Sequence, residues 1–227
     1  DGESKTTEKY TTTPTTFVAG KSYTYKLKVG KNKISVSGIS VADWNTGTIT
    51  EGSKAEQIIP YVTFTADEAQ TFKMTTEGDY TISGLEYSVN GGDWNPVVAG
   101  GDGVTFGGTH GDLRLRGTNS KGTANGPFDY STITFTDPTV KVACTGDIRT
   151  LLNWKYYDTV DTQNARFISL FLGCGVLTSA PVLPATTLAG NCYTNMFYGC
   201  TSLTSAPVLP ATTLAEGCYN FMFSGCT

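Results

Sequence analysis

The sequence of 227 residues contains a single histidine, His110, and no Cys-x-x-Cys pair. Clusters of several histidines around a metal are therefore excluded, as are zinc and thioredoxin-like sites built from closely spaced cysteines. Any Ser-His or Cys-His catalytic pair would depend on His110 alone. His110 lies in the glycine-rich segment 107–112, which is typical of a turn between strands, so we do not expect it to be catalytic. We expect no catalytic residue, no metal site and no cofactor.

Charge and long apolar runs are also scarce. Only 16% of the residues are charged and the formal net charge is −4, so the chain lacks a basic surface for nucleic acid. No apolar run approaches the roughly 18 to 20 residues of a transmembrane helix, and no basic-then-apolar leader occupies the first ten positions. We expect neither nucleic-acid binding nor membrane insertion. The 39% hydrophobic content and 26 glycines indicate a β-rich globular or repetitive protein.

The C-terminal part of the sequence repeats itself. Residues 177–202 read LTSAPVLPATTLAGNCYTNMFYGCTS and residues 203–227 read LTSAPVLPATTLAEGCYNFMFSGCT, an offset of about 26 residues. A degenerate earlier copy ends at residues 171–176. A unit this short must stack on its neighbours to bury an apolar face. We expect inward columns of Leu177 with Leu203, Leu183 with Leu209, Leu188 with Leu214, Cys192 with Cys218, Met196 with Met222, Phe197 with Phe223, and Cys174 with Cys200 and Cys226.

Each unit divides into two parts. Prolines such as Pro181 and Pro184 permit only short extended pieces in the first part. The second part, residues 189–198 and 215–224, is predicted to form a helical turn or two that ends at Gly199 and Gly225. Most of the six cysteines follow the repeat period, which favours a column of buried, unpaired thiols over disulfides.

The repeated pattern L-T-S-x-x-x-L-P-x-T-T-L-A-x-x-C-Y-x-x-M-F-x-G-C-T-S resembles the BspA-like leucine-rich repeat. The resemblance covers residues 139–227 and implies a leucine-rich-repeat solenoid of 26-residue units on a surface protein. The sequence departs from the commoner form by having Ala-Pro-Val-Leu-Pro where Ile-x-Ile-Pro is usual, and by a longer unit.

Residues 1–56 contain a predicted β-hairpin, in which Ser22–Val29 and Lys33–Val41 alternate polar and apolar side chains around a turn. The segment Ala19-Gly20-Lys21-Ser22-Tyr23-Thr24-Tyr25, together with Trp44-Asn45, resembles the closing strands of a fimbrillin-like (Mfa-like) adhesin domain. An edge of some other β-sandwich is the alternative. The chain also stops within a repeat unit and without a capping repeat, so we expect a fragment truncated at both ends.

Residues 57–138 are predicted to form a small β-sandwich. Its predicted strands are 61–65, 70–75, 85–89, 104–106, 113–116 and 131–135, with glycine-rich turns between them. Ser88-Val89-Asn90-Gly91-Gly92-Asp93-Trp94 resembles an Asp-box hairpin, which implies a structural turn and not sialidase activity. The segment 100–103 resembles half of a calcium-binding nonapeptide, but one copy cannot complete the ligand shell.

Taken together, the fold class is mainly β, with hairpin and sandwich modules before the repeat solenoid. The expected function is that of a non-enzymatic bacterial cell-surface adhesin, located outside the cell. Its expected partners are host extracellular matrix or mucin glycoproteins, or other bacterial surfaces. Two alternatives stay open: a pilus subunit assembled by strand donation, and a glycan-acting enzyme using Glu86, Asp93, His110 or Asp112.

Candidate binding positions are those that vary between otherwise identical repeat units, since packing does not dictate the residue there. Gly190 is replaced by Glu216 in the next unit, and the equivalent of Tyr198 is Ser224. The candidate binding residues are Asn191, Thr194, Asn195 and Tyr198 in one unit and Glu216, Asn220 and Phe221 in the next.

Overall fold

The computed structural model describes the backbone of residues 21–30, 33–43 and 56–57, and all atoms of residues 59–227. The chain divides into two compact units, Asp1–Ile58 and Ile59–Thr227. The protein is mainly β, and the helical elements among the described residues are two single 3-10 turns, Gly108–His110 and Ile148–Leu151. No helix in the described part of the chain is long and apolar enough to cross a membrane.

The strands are β1 (Lys21–Gly30), β2 (Lys33–Asp43), β3 (Glu56–Gln57), β4 (Val62–Thr65), β5 (Gln70–Glu77), β6 (Leu85–Val89), β7 (Asn95–Pro96), β8 (Val104–Phe106), β9 (Leu113–Gly117), β10 (Ala124–Gly126), β11 (Asp129–Phe135) and β12 (Ala143–Thr145). They form sheets of three, four and five strands with orders β2-β1-β3, β10-β11-β5-β8 and β12-β4-β9-β6-β7.

The first unit contains the predicted hairpin. Strands β1 and β2 pair antiparallel from Lys21 opposite Asp43 to Gly30 opposite Lys33, with one irregularity after Lys26. The short strand β3 pairs parallel to β1. The hairpin prediction is confirmed, whereas the flanking Ala19-Gly20 and Trp44-Asn45 of the adhesin-like pattern lie outside the described residues.

The second unit begins with two antiparallel sheets that share one apolar core. Phe64 on β4 of the five-stranded sheet lies 6.3 Å from Phe72 on β5 and 5.4 Å from Phe135 on β11, measured between ring centroids. Alternation along each strand, as in the Leu113 and Leu115 pair of β9, turns one face of each sheet toward this core. All six strands predicted between residues 58 and 138 are present.

The core continues without a break into the segment that follows the sheets. Strand β12 lies in the segment expected to begin the repeat, and it pairs antiparallel with β4 as an edge of the five-stranded sheet. Phe171 contacts Phe64 at 6.2 Å between ring centroids, and the Ile133 amide of β11 donates a hydrogen bond to the Leu170 carbonyl. The sheets and the repeats therefore stabilise each other within one unit.

The repeat region contains three equivalent segments, which we name coil 1 (165–174), coil 2 (189–200) and coil 3 (215–226). The short helix predicted in coils 2 and 3 is absent, and overlapping β-turns replace it. In coil 2 the amides of Cys192, Thr194, Met196, Tyr198 and Cys200 each donate to the carbonyl three residues earlier. The prediction was wrong because the left-handed backbone of Asn191 and Asn195, with φ of 58° and 54°, interrupts a right-handed helix.

Most of the predicted inward columns are buried. Leu177, Leu203, Cys192, Cys218, Met196 and Met222 belong to the core, and Phe223 and Cys226 pack against it. Leu183 and Leu188 are also buried, but the equivalent Leu209 and Leu214 are exposed. The prediction was wrong for these two leucines because the described residues include no further copy stacked on coil 3.

Candidate functional site

The three coils are joined edge to edge by main-chain hydrogen bonds. In coil 2 the amides that do not bond within the coil donate to coil 3 carbonyls: Tyr193 to Cys218 at 2.9 Å, and Phe197 to Met222 at 2.9 Å. The same pattern joins coil 1 to coil 2, where Phe171 donates to Met196 at 2.9 Å. Alternate amides thus bond within a coil and between coils, which fixes the register of equivalent residues.

Aromatic rings stack in two columns through these coils. Phe171, Phe197 and Phe223 lie 5.3 and 5.6 Å apart between successive centroids, with planes within 5° and 7° of parallel. A second column stacks Phe167, Tyr193 and Tyr219 at 6.1 and 5.9 Å. Such pairs stabilise by about 0.5–1.5 kcal/mol each beyond their burial, so the coils form a rigid base for the side chains that point outward.

The cysteine side chains take part in the stacking as thiols. Cys200 donates from Sγ to the Phe171 carbonyl at 3.1 Å, and Cys226 donates to the Phe197 carbonyl at 3.2 Å. All six cysteines are free. Burial raises the pKa of the Cys192 and Cys200 thiols to about 12, so both are protonated, weak nucleophiles at neutral pH.

Residues with a left-handed backbone conformation recur at a regular spacing in the coils. In coil 2 these residues are Asn191, Asn195 and Gly199, and in coil 3 the equivalent positions are Gly217, Phe221 and Gly225. Glycine and asparagine adopt positive φ at low cost, so most of these residues suit their backbone. Phe221, with φ of 52°, is the exception.

The predicted binding residues differ in exposure. Phe221 and Tyr198 are 62% and 44% exposed, and Glu216 and Asn220 of coil 3 are also exposed. Asn191 and Asn195 are partly buried. Thr194 is buried and donates from Oγ1 to the Gly217 carbonyl at 2.7 Å, so its hydroxyl joins coil 2 to coil 3.

The residues of the enzymatic alternative are dispersed over the sandwich. His110 and Asp93 are exposed. Glu86 and Asp112 form ion pairs with arginines, Arg116 at 2.7 Å and Arg114 at 2.6 Å. Within residues 59–227, no group of three or more histidine, cysteine, aspartate or glutamate residues is arranged to hold a metal ion.

A cluster on the sandwich was missed by sequence reasoning. The Arg116 guanidinium carbon lies 4.1 Å from the ring centroid of Trp94 and 4.4 Å from that of Trp154. Tyr61 adds a third ring, 4.9 Å from Trp94 between centroids. The Asp-box-like pattern drew attention to Trp94, but no sequence signal relates Trp94 to Trp154.

Comparison with protein-family models, curated proteins and solved structures finds no match to this chain. The candidate sites are therefore the exposed side chains of coils 2 and 3 and the aromatic cluster around Arg116. Function has to be argued from the chemistry of these residues.

Proposed function

We propose that the chain is part of a non-catalytic bacterial surface adhesin in which residues 139–227 form a BspA-type leucine-rich-repeat solenoid. The proposed partner is a surface macromolecule, either a host matrix or mucin glycoprotein or a component of another bacterial surface. The amide-to-carbonyl ladder and the two ring columns support stacking of the repeats. Stacked repeats of this kind present similar side chains side by side to a large partner.

Phe221 is the observation that carries this proposal. A left-handed backbone costs a residue other than glycine or asparagine about 1–2 kcal/mol, and Phe221 adopts it with φ of 52°. The equivalent residues in coils 1 and 2 are Ser169 and Asn195, which are small and polar. The left-handed backbone does not favour a phenylalanine there, and its side chain is 62% exposed in the last repeat unit, where Leu209 and Leu214 are exposed as well. A role in binding explains it, because surface aromatics are frequent anchors at protein interfaces.

Tyr198 provides a second exposed aromatic side chain. Its equivalent in coil 3 is Ser224, so the repeat fold accepts a small polar residue at this position. Glu216 and Asn220 add polar groups on coil 3, and both are exposed. Two aromatic anchors with polar neighbours match the composition of protein binding surfaces.

The test replaces each aromatic residue by the residue that the chain itself has at the equivalent position. Phe221→Asn and Tyr198→Ser should each reduce capture of the protein by immobilised mucin, matrix protein or bacterial cells by about fivefold or more, since anchor residues contribute at least about 1 kcal/mol. Phe221→Asn should also raise the free energy of unfolding by about 0.5–1 kcal/mol, because asparagine tolerates the left-handed backbone.

Val182→Thr is the matched control, since Val182 is an exposed apolar residue outside the coils. Its binding should equal that of the unaltered chain. A Phe221→Asn variant that binds as tightly as the unaltered chain would contradict the assignment of Phe221. Absence of capture by every surface, even for the unaltered chain, would contradict the adhesin proposal itself.

One observation favours the second candidate, a pilus subunit assembled by strand donation. Strand β2 (Lys33–Asp43) pairs with β1 alone among the described residues, and strand donation would add a strand at such an edge position. Analytical ultracentrifugation of the protein over about a hundredfold range of concentration tests assembly by strand donation. Growth of oligomers with concentration would support assembly, and a monomer throughout would contradict it.

A further inference from the structure

The outer face of the five-stranded sheet carries a row of polar and aromatic side chains. Arg116 on β9 lies opposite Glu86 on β6, and the two form an ion pair of 2.7 Å between Nε and Oε2. Trp94 and Trp154 lie in loops beside this face, and their ring centroids are 4.1 and 4.4 Å from the guanidinium carbon. Both tryptophans of the fully described segment 59–227 therefore lie around one arginine, outside the hydrophobic core.

Among the described residues, no partner uses the two Nη atoms of Arg116. The hydrogen bond to Glu86 uses Nε alone, and no acceptor within the described residues bonds either Nη. The Arg116 side chain is 16% exposed. Arg116 is thus held by Glu86 and by two indole rings, while its Nη donors have no partner among the described residues.

The two other arginines of the second unit that form ion pairs, Arg149 and Arg114, differ from Arg116 in how their donors are used and how their side chains are held. Arg149 bonds the Asp147 carboxylate through Nε and Nη2 and adds a bond from Nη1 to the Asp158 carbonyl, so its donors are used within the protein. Arg114 on β9 pairs with Asp112 through Nε but is 40% exposed, and no aromatic ring of the described residues lies over it. Of these three, Arg116 alone combines unused Nη donors with a fixed position.

We propose that the Trp94–Arg116–Trp154 cluster is a binding site for a carboxylate group. The fork of a guanidinium matches a carboxylate through two parallel hydrogen bonds, and a fork that is already held in place loses little entropy on binding. Two indole rings within 4.1 and 4.4 Å of the guanidinium carbon supply that restraint. Lys155, whose Nζ lies 5.3 Å from the Trp154 ring centroid, adds positive charge beside the site.

Two sources share this chemistry, an acidic sugar and the C-terminal carboxylate of a peptide. The proposal does not depend on the adhesin function, because it concerns the sandwich and not the coils. Glu86 is 37% exposed and already occupies Nε, so it competes with an incoming carboxylate for the same guanidinium. Removing the charge of Glu86 should therefore strengthen binding, whereas removing the fork should weaken it.

The experiment titrates the full chain with sodium glucuronate and follows the indole N–H signals of Trp94 and Trp154 by NMR. Glucose, which lacks the carboxylate, is the neutral comparison. A tripeptide with a free C-terminus, compared with the same tripeptide amidated, separates the peptide source from the sugar source. We expect glucuronate or the free tripeptide to shift both indole signals saturably, with affinity at least about tenfold above its neutral counterpart.

Three variants decide the assignment. Arg116→Lys keeps the charge but removes the fork, and should weaken binding about tenfold. Glu86→Gln should tighten binding about threefold or more by removing the competing charge. Arg114→Gln, on the same strand and face, should leave affinity unchanged. Absence of saturable shifts with either carboxylate probe, or equal affinity in Arg116→Lys, would overturn the proposal, and so would weaker binding in Glu86→Gln.

Discussion

Replacement of Phe197 by leucine tests whether stacking between coils stabilises the repeat region. Phe197 is fully buried between Phe171 at 5.3 Å and Phe223 at 5.6 Å. Phe197→Leu removes two ring pairs, so it should lower the free energy of unfolding by about 1–3 kcal/mol beyond the change in buried area. Phe223→Leu is the same chemical change at the equivalent position and removes one pair, for about 0.5–1.5 kcal/mol.

Urea unfolding followed by circular dichroism measures both losses. Because Phe223 is less buried than Phe197, a double-mutant cycle separates stacking from burial. The double variant Phe171→Leu with Phe197→Leu should lose less stability than the sum of the two single variants, by about 0.5–1.5 kcal/mol. A coupling energy of zero, or a loss at Phe223 equal to the loss at Phe197, would refute stacking between coils.

Two further predictions concern the coil backbone and the thiols. Gly199→Ala should lower the free energy of unfolding by about 1 kcal/mol, because Gly199 has a φ of 72°. Gly190 does not have a left-handed backbone, so Gly190→Ala should change the free energy of unfolding by less than about 0.5 kcal/mol. Thermal unfolding measures both changes. Burial raises the pKa of Cys192 and Cys200 to about 12, so the folded chain keeps protons that the unfolded chain releases above its ordinary thiol pKa of about 9. The contribution of these thiols to the free energy of unfolding is therefore complete below about pH 9 and is lost as the pH rises toward about 12. Urea unfolding at pH 7 to 11 measures this loss. A free energy of unfolding that does not change over this range would contradict the prediction.

Strands such as β4, β5 and β9 were predictable from sequence because buried residues alternate with more exposed ones along them. In β9, Leu113 and Leu115 face the core while Arg114 and Arg116 face outward. The strands β7, β10 and β12 were not predicted, because two or three residues show no alternation, whereas β8, also three residues long, lies between glycine-rich turns that mark its ends. The Asn95-Pro96 pair of β7 also looks like a turn in sequence, since proline cannot donate to a ladder.

The coils show the opposite relation between sequence and structure. The repeat period predicted which residues stack, but a helical conformation was wrong. Asn191, Asn195 and Gly199 recur at every fourth position, and all three adopt positive φ. This recurrence of residues that tolerate a left-handed backbone was the available signal for successive turns.

The candidate sites were predictable only in part. Variation between repeat copies led to Tyr198 and Phe221, which are exposed, but also to Thr194, which is buried. The carboxylate site could not be predicted, because Trp94 and Trp154 meet over Arg116 through tertiary folding alone. Packing of segments distant in sequence creates this site.

Hydroxyl-radical footprinting of the protein bound to a surface that captures it tests the proposed function most directly. Phe128 is a suitable internal reference, since it is 82% exposed and lies in the turn between β10 and β11, outside the coils. We predict that binding reduces labelling of Phe221 and Tyr198 while labelling of Phe128 stays constant. Unchanged labelling of Phe221 and Tyr198 in the bound protein would contradict binding through the coils.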